Sequence, residues 1–219
     1  MTDDNRVLIA VLLDRSGSMS SIKTDTEGGF AAFIDKQRGL DRDVRVTLAQ
    51  FDTEYDVVYT ERALAEVPPL VLDPRGATAL YDAVGRLVSD VGAELAATPA
   101  EERPGTVIVV VLTDGHENSS AEWTHEAVRK AIQRQESEYA WTFVFLGANM
   151  DAVQIGQKLG FSADRSMTYV ATPEGVDAAF AASGAYVARR TMAAPEATVA
   201  GFSDEDRVGA MGRGPDRKP

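Results

Sequence analysis

Three short stretches of the chain carry oxygen ligands at the ends of apolar runs. In LDRSGSM, Asp14, Ser16 and Ser18 stand two residues apart, directly after the apolar run 7–13. In LTDG, Asp114 follows the run TVIVVVLT. In RGATAL, Thr78 opens a helical segment after a long loop. Together they offer two carboxylates and three hydroxyls, with no thiolate or imidazole among them. A hard divalent cation that takes oxygen ligands suits such a set. Mg²⁺ fits best, with water completing its octahedron, and Mn²⁺ or Ca²⁺ are the alternatives. An ion held by so few charges stays electrophilic and attracts a further anionic oxygen from outside. A D-x-S-x-S turn can aim alternate side chains at one point, and Gly17 and Gly115 are expected to ease the backbone there. Taken alone, Asp14 to Ser18 fits a polar strand-to-helix turn, with Ser18 or Ser20 as N-cap, as well as it fits a site.

The elements that must position these residues alternate along the chain. RVLIAVLL, TVIVVVLT and WTFVFLG are short continuous apolar runs, the pattern of strands buried on both faces. DVRVTLAQF and EYDVVYT alternate in polarity and are joined at Asp52-Thr53-Glu54, which predicts a hairpin. SMTYVA reads as a further short strand. Helices are expected from Phe30, Phe33 and Ile34, with Gly28-Gly29 marking a weak point or a close approach. Others are expected from about Thr78, over SAEWTHEAVRKAIQRQES with Ser119 or Ser120 as cap, over MDAVQIGQKLG up to Gly160, and from Pro173 to about Arg190. Strands alternating with amphipathic helices predict a doubly wound α/β sheet, mainly parallel, with one antiparallel edge strand and helices on both faces. Ligands of such sheets bind beyond the carboxyl ends of the strands. Asp14, Asp114 and Asn149 all fall at such ends. The expected organisation is an extension over 1–5, a domain over 6–192 and a disordered tail over 193–219, where periodicity fails.

The composition narrows the function classes. The chain has 219 residues, a net charge of −12 and no cysteine. The acidic balance disfavours nucleic acid and anionic membranes and suits cations and basic partners. The lack of cysteine excludes thiolate metal sites and cysteine nucleophiles. No signal-peptide pattern and no bilayer-length apolar run is present, which predicts a soluble, cytoplasmic protein.

LDRSGSM, GATAL and LTDG, in this order and each at its strand or helix end, resemble the metal-ion-dependent adhesion site of a von Willebrand factor type A domain. The resemblance spans about residues 6–190 and is closest to bacterial and phage single-domain members. It implies a Rossmann-like fold, with Ser16, Ser18 and Thr78 coordinating the metal through hydroxyls. Asp14 and Asp114 would act directly or through water. It further implies that the open metal position accepts an Asp or Glu carboxylate of a partner protein, in an intracellular adaptor whose partners include an AAA+ ATPase.

Other residues have plainer readings. His116 is the one candidate general base for a rival function, Mg²⁺-dependent hydrolysis of phosphate esters, but no orienting partner is evident. The Asp14-Arg15-Ser16 order also lacks the second carboxylate of an aspartyl-phosphate enzyme. A structural component of a phage or cellular particle is a third reading. His116 and His125 read as surface residues, Trp123 and Trp141 as packing, and Asn149 either hydrogen-bonds near the site or begins the next helix. Asp52, Glu54 and Asp56 read as a solvated turn. Arg15 and Arg75 either pair with an incoming carboxylate or are exposed turn residues.

Overall fold

The computed structural model describes residues 2–195 and 197–212. Its six strands are β1 (Asp3–Asp14), β2 (Asp43–Phe51), β3 (Tyr55–Ala63), β4 (Pro104–Thr113), β5 (Thr142–Ala148) and β6 (Ser166–Tyr169). They form one sheet in the order β3-β2-β1-β4-β5-β6. Every neighbouring pair is parallel except β2 with β3, so β3 is the antiparallel edge. The helices are α1 (Lys23–Arg38), α2 (Leu80–Ala97), α3 (His125–Tyr139), α4 (Ala152–Leu159), α5 (Pro173–Met192) and α6 (Asp204–Ala210).

The continuous apolar run of β1 has a simple cause. Val7, Ile9, Val11 and Leu13 face one core with α1 and α5, whereas Leu8, Ala10 and Leu12 face the other with α2, α3 and α4. A strand covered on both faces needs no polar alternation. The α1 helix lies close to α5 because Gly29 has no side chain. A Cβ there would come within 2.2 Å of the Phe180 ring. Gly160 closes α4 in the left-handed conformation, φ 99°. Thr172 caps α5, its hydroxyl accepting from the Gly175 amide at 3.2 Å, with Pro173 in the first turn.

Several boundaries depart from the sequence expectation. Residues 3–5, expected as an extension, belong to β1. The Asp3 amide donates to Arg103 O at 2.8 Å, and a register shift separates Asp3 from Val7. The cap of α3 is Thr124 and not Ser119 or Ser120, because Asp82 takes the amides of residues 121–123 and holds them out of the helix.

The segment after Ala193 was expected to lack order, yet it contains α6. A capping box of Ser203 and Asp206 opens this helix. Phe202 packs on Tyr186 with ring centroids 5.9 Å apart, and Val170 N donates to Ala210 O at 2.9 Å. A seven-residue helix has too few turns to show a period, and docking on α5 and β6 stabilises it instead. The expectation for Glu196 and 213–219 lies outside the described residues.

Candidate metal centre

The winding reverses at β1, which has β2 on one side and β4 on the other. The crevice between the carboxyl ends of β1 and β4 is therefore the switch point of the sheet. Leu13 pairs with Leu112 in register, so Asp14 and Thr113 end side by side. Asp14 is fully buried. Its Oδ1 accepts the Ser16 amide at 2.6 Å and its Oδ2 accepts the Thr113 hydroxyl at 2.5 Å. The Thr113 oxygen in turn accepts the Gly115 amide at 3.1 Å. Ser16 Oγ and Ser18 Oγ are 3.1 Å apart, and Ser18 Oγ donates to Asp114 Oδ1 at 2.7 Å. A continuous hydrogen-bonded chain thus joins Asp14, Ser16, Ser18 and Asp114 across two strand ends.

Thr78 reaches the same edge by a different route. The loop before it turns at Gly76, φ +67°, a conformation that favours glycine. Gly76 O accepts the Gly17 amide at 3.2 Å, and Arg75 N donates to Arg15 O at 2.8 Å. Thr78 N donates to Asn118 Oδ1 at 2.9 Å, and Asn118 N donates to Thr78 O at 3.0 Å. Its hydroxyl stands against Gly115, where a Cβ would come within 2.3 Å of Thr78 Oγ1. Gly115 is therefore needed for space, not for unusual backbone angles. Gly17 has neither need: its φ is not positive and a Cβ there would meet Gly76 O at an ordinary 3.5 Å.

Burial pushes the Asp14 carboxyl up to about 6, against hydrogen bonds from Thr113 and Ser16 that lower it, and the Asp114 charge adds to the rise. Burial also raises Asp114. Two neighbouring carboxyls whose charged forms are disfavoured are a place where a cation relieves the strain on ionisation. Tyr169 is fully buried and its hydroxyl has no hydrogen-bond partner among the described residues. Burial raises its pKa well above the usual value, and the charges of Asp114 and Asp14 raise it further, so the orphaned hydroxyl lies within their field. No group of three or more His, Cys, Asp or Glu side chains gathers among the described residues. A metal here must draw on the hydroxyls, and the donors present are all hard oxygens that fit Mg²⁺ and its relatives.

The residues that brace the site were largely not read from the sequence. Asp52, expected in a solvated turn, is buried at the end of β2. Its Oδ2 accepts Arg15 Nε at 2.8 Å and Arg75 Nε at 3.0 Å, and its Oδ1 accepts the Glu54 amide at 2.7 Å. Burial pushes its carboxyl up, but the Glu54 amide, Arg15 and Arg75 more than reverse this and hold it below the usual carboxylate range. Arg15 also pairs with Asp56. These arginines are thus engaged within the chain. The loop after Asp114 is strapped to α2. Glu117 accepts the amides of Tyr81, Ser119 and Ser120, and Asp82 accepts those of Ala121, Glu122 and Trp123. Trp123 packs over Gly85, where a Cβ would lie 2.1 Å from its ring, and Trp141 stacks on Phe143. The Asn149 amide donates to Tyr169 O and its Oδ1 accepts the Ala171 amide, so its hydrogen bonds among the described residues do not go to the oxygen cluster, and Asp151 rather than Asn149 caps α4. His116 and His125 are exposed.

No protein-family model and no curated protein matches the chain. Solved structures do match it. A von Willebrand factor type A protein from Catenulispora acidiphila aligns at 19% identity and TM-score 0.54, over 82% of this chain and 42% of that one. The vWF domain of the type V pili tip protein Mfa5 from Porphyromonas gingivalis aligns at 12% identity and TM-score 0.57, over 88% and 98%. Proximal thread matrix protein 1 from the mussel byssus, with a zinc-occupied MIDAS motif, aligns at 16% identity and TM-score 0.57, over 84% and 46%. The chain spans less than half the length of the first solved structures it matches, 46%, 42% and 44%. No helix among the described residues is long and apolar enough to cross a membrane. The sheet order, the single antiparallel edge and these likenesses agree on one conclusion: the chain has the von Willebrand factor type A fold, a Rossmann-like α/β fold.

Proposed function

We propose that the chain is a non-enzymatic protein-interaction module that holds Mg²⁺ with Asp14, Ser16, Ser18, Thr78 and Asp114 and captures an Asp or Glu side chain of a partner protein. The observation that carries this reading is the hydrogen-bonded chain Asp14–Ser16–Ser18–Asp114 at the sheet's switch point. The zinc-occupied motif described for the mussel protein supports the use of a divalent metal. The bound ion would supply an electrophilic position open to one more oxygen. The chain's residues do the rest. Thr113 orients Asp14, Asn118 fixes Thr78, and Gly115 leaves room for the Thr78 hydroxyl. With only two carboxylates in the set, an incoming carboxylate is favoured on charge grounds. A cytoplasmic adaptor role, with an AAA+ ATPase among the partners, is part of the same proposal.

The hydrolase reading draws no support from His116. It is exposed, and no hydrogen bond or ion pair orients it among the described residues. The experiment is affinity capture from a cell extract on the immobilised protein, in Mg²⁺ and in EDTA. The proposal expects partners retained only in Mg²⁺ and lost with Asp14→Ala and Asp114→Ala. Capture that is unchanged by EDTA and by both substitutions overturns it.

A further inference from the structure

Gly115 has two neighbourhoods. On one side it abuts the Thr78 hydroxyl, and on the other it lines a cavity of 190 Å³. This volume is below the ~300–1,000 Å³ of small-molecule sites, yet it suits one large side chain. The cavity wall includes two apolar residues, Met150 just ahead of α4 and Ile155 within it, and Met adapts its shape to what it meets. Its rim carries His116, His125 and Lys158, all exposed. Lys158 places a cation there, on a chain of net charge −12. Glu117 also borders the cavity, but its two oxygens are occupied by the Tyr81, Ser119 and Ser120 amides and the Ser120 hydroxyl. Its charge is therefore committed to the loop.

We propose that this cavity is a side-chain subsite that takes a large apolar residue adjacent, in a partner's sequence, to the Asp or Glu that seeks the metal. The proposal rests on the reading of the site as a receiver of a partner's carboxylate. It names the partner segment as an acidic residue beside Leu, Met or Phe, within an acidic stretch that faces Lys158 on the rim. Charge complementarity and the shared Gly115 wall argue for this occupant over a second copy of this acidic chain.

The test uses ¹⁵N-labelled full chain and short blocked peptides with one central Asp followed by Leu, Phe or Ser, titrated in Mg²⁺ and in EDTA. In Mg²⁺ the Leu and Phe peptides are expected to bind about fivefold more tightly than the Ser peptide, the effect of partly burying one apolar side chain. Amide shifts are expected at Gly115, His116 and Ile155. Ile155→Glu is expected to abolish the preference while Mg²⁺ binding, read by calorimetry, is retained. Lys158→Glu, on the exposed rim, is expected to weaken all the peptides in common. Equal Mg²⁺-dependent binding of the Leu and Ser peptides overturns the subsite and leaves the metal reading standing. Binding of all peptides that is unchanged in EDTA, or no binding at all, overturns both.

Discussion

Arg15 Nε lies 2.8 Å from Asp52 Oδ2, and both side chains are shielded from solvent, 9% and 1% exposed. The pair ties the residue after Asp14 to the end of β2, and so fixes the D-x-S-x-S turn from below. Removing one member of a buried pair leaves an uncompensated charge. Arg15→Ala or Asp52→Ala is therefore expected to cost about 3–5 kcal/mol in urea denaturation. Arg75 meets the same carboxylate, but is half exposed, so Arg75→Ala is expected to cost about 1 kcal/mol or less. The Asp52 carboxyl is held below its usual range. Its contribution is fully present above the unfolded value of about 4 and is lost as pH falls through the lower folded value.

Asp14 has the opposite sign. Its folded pKa is raised to about 6. In metal-free protein its contribution is full below the unfolded value of about 4 and is lost as pH rises through 6. Metal binding requires the ionised form, so Mg²⁺ affinity is expected to fall by up to about tenfold per pH unit below pH 6. Thermal-shift titrations with MgCl₂ across pH 5 to about 8 check this. A pH-independent Mg²⁺ shift would contradict it.

Two glycines beside the site should behave differently. A methyl group at Gly115 would come within 2.3 Å of Thr78 Oγ1, whereas one at Gly17 would have an ordinary 3.5 Å contact. Gly115→Ala is expected to lower Mg²⁺ affinity by about tenfold or more, on the scale of other supporting-shell losses, while Gly17→Ala has little effect. Calorimetric Mg²⁺ titration of the folded variants separates the two.

The docking of α6 is also measurable. Phe202 is buried against Tyr186, and truncating it leaves a cavity between the tail and α5. Phe202→Ala is expected to cost about 3 kcal/mol in urea denaturation, the low end for buried Phe. A loss below about 0.5 kcal/mol, as for a surface change, would mean that the tail does not dock.

What the sequence made legible follows from what each feature depends on. The strands β1, β4 and β5 were readable because burial on both faces demands a continuous apolar run, a local signal. The placement of Asp14 and Asp114 at one edge followed, since parallel strands end together. Gly28-Gly29 reads in the sequence as either a weak point of the helix or a close approach; the structure shows the close approach at Gly29 alone, against Phe180, with open space at Gly28. The bracing residues were not readable. Asp52 looked like any turn carboxylate, and only the β1–β2 pairing brings Arg15 over it. Thr113 was visible in LTDG, but its hydroxyl bond to Asp14 depends on the β1–β4 register. Asn118 and Glu117 sit in a polar loop with no periodicity, and the partners through which they brace the site, Thr78 and Tyr81, lie 40 and 36 residues away. The helix α6 carried a local signal in its capping pair Ser203 and Asp206, but one too short to outweigh the lack of a repeating apolar face.

The proposed site brings five oxygen-bearing side chains from three separate stretches onto one divalent cation. Crystals of the protein grown with MnCl₂, with data collected for the anomalous signal of manganese, test it most directly. One strong anomalous peak is expected at the carboxyl edge of β1 and β4, with the Ser16, Ser18 and Thr78 hydroxyls within about 2.0–2.3 Å and Asp14 and Asp114 bound directly or through water. The peak should be absent in Asp14→Ala. No peak between these residues in the wild-type protein, or a peak that survives the substitution unchanged, would contradict it.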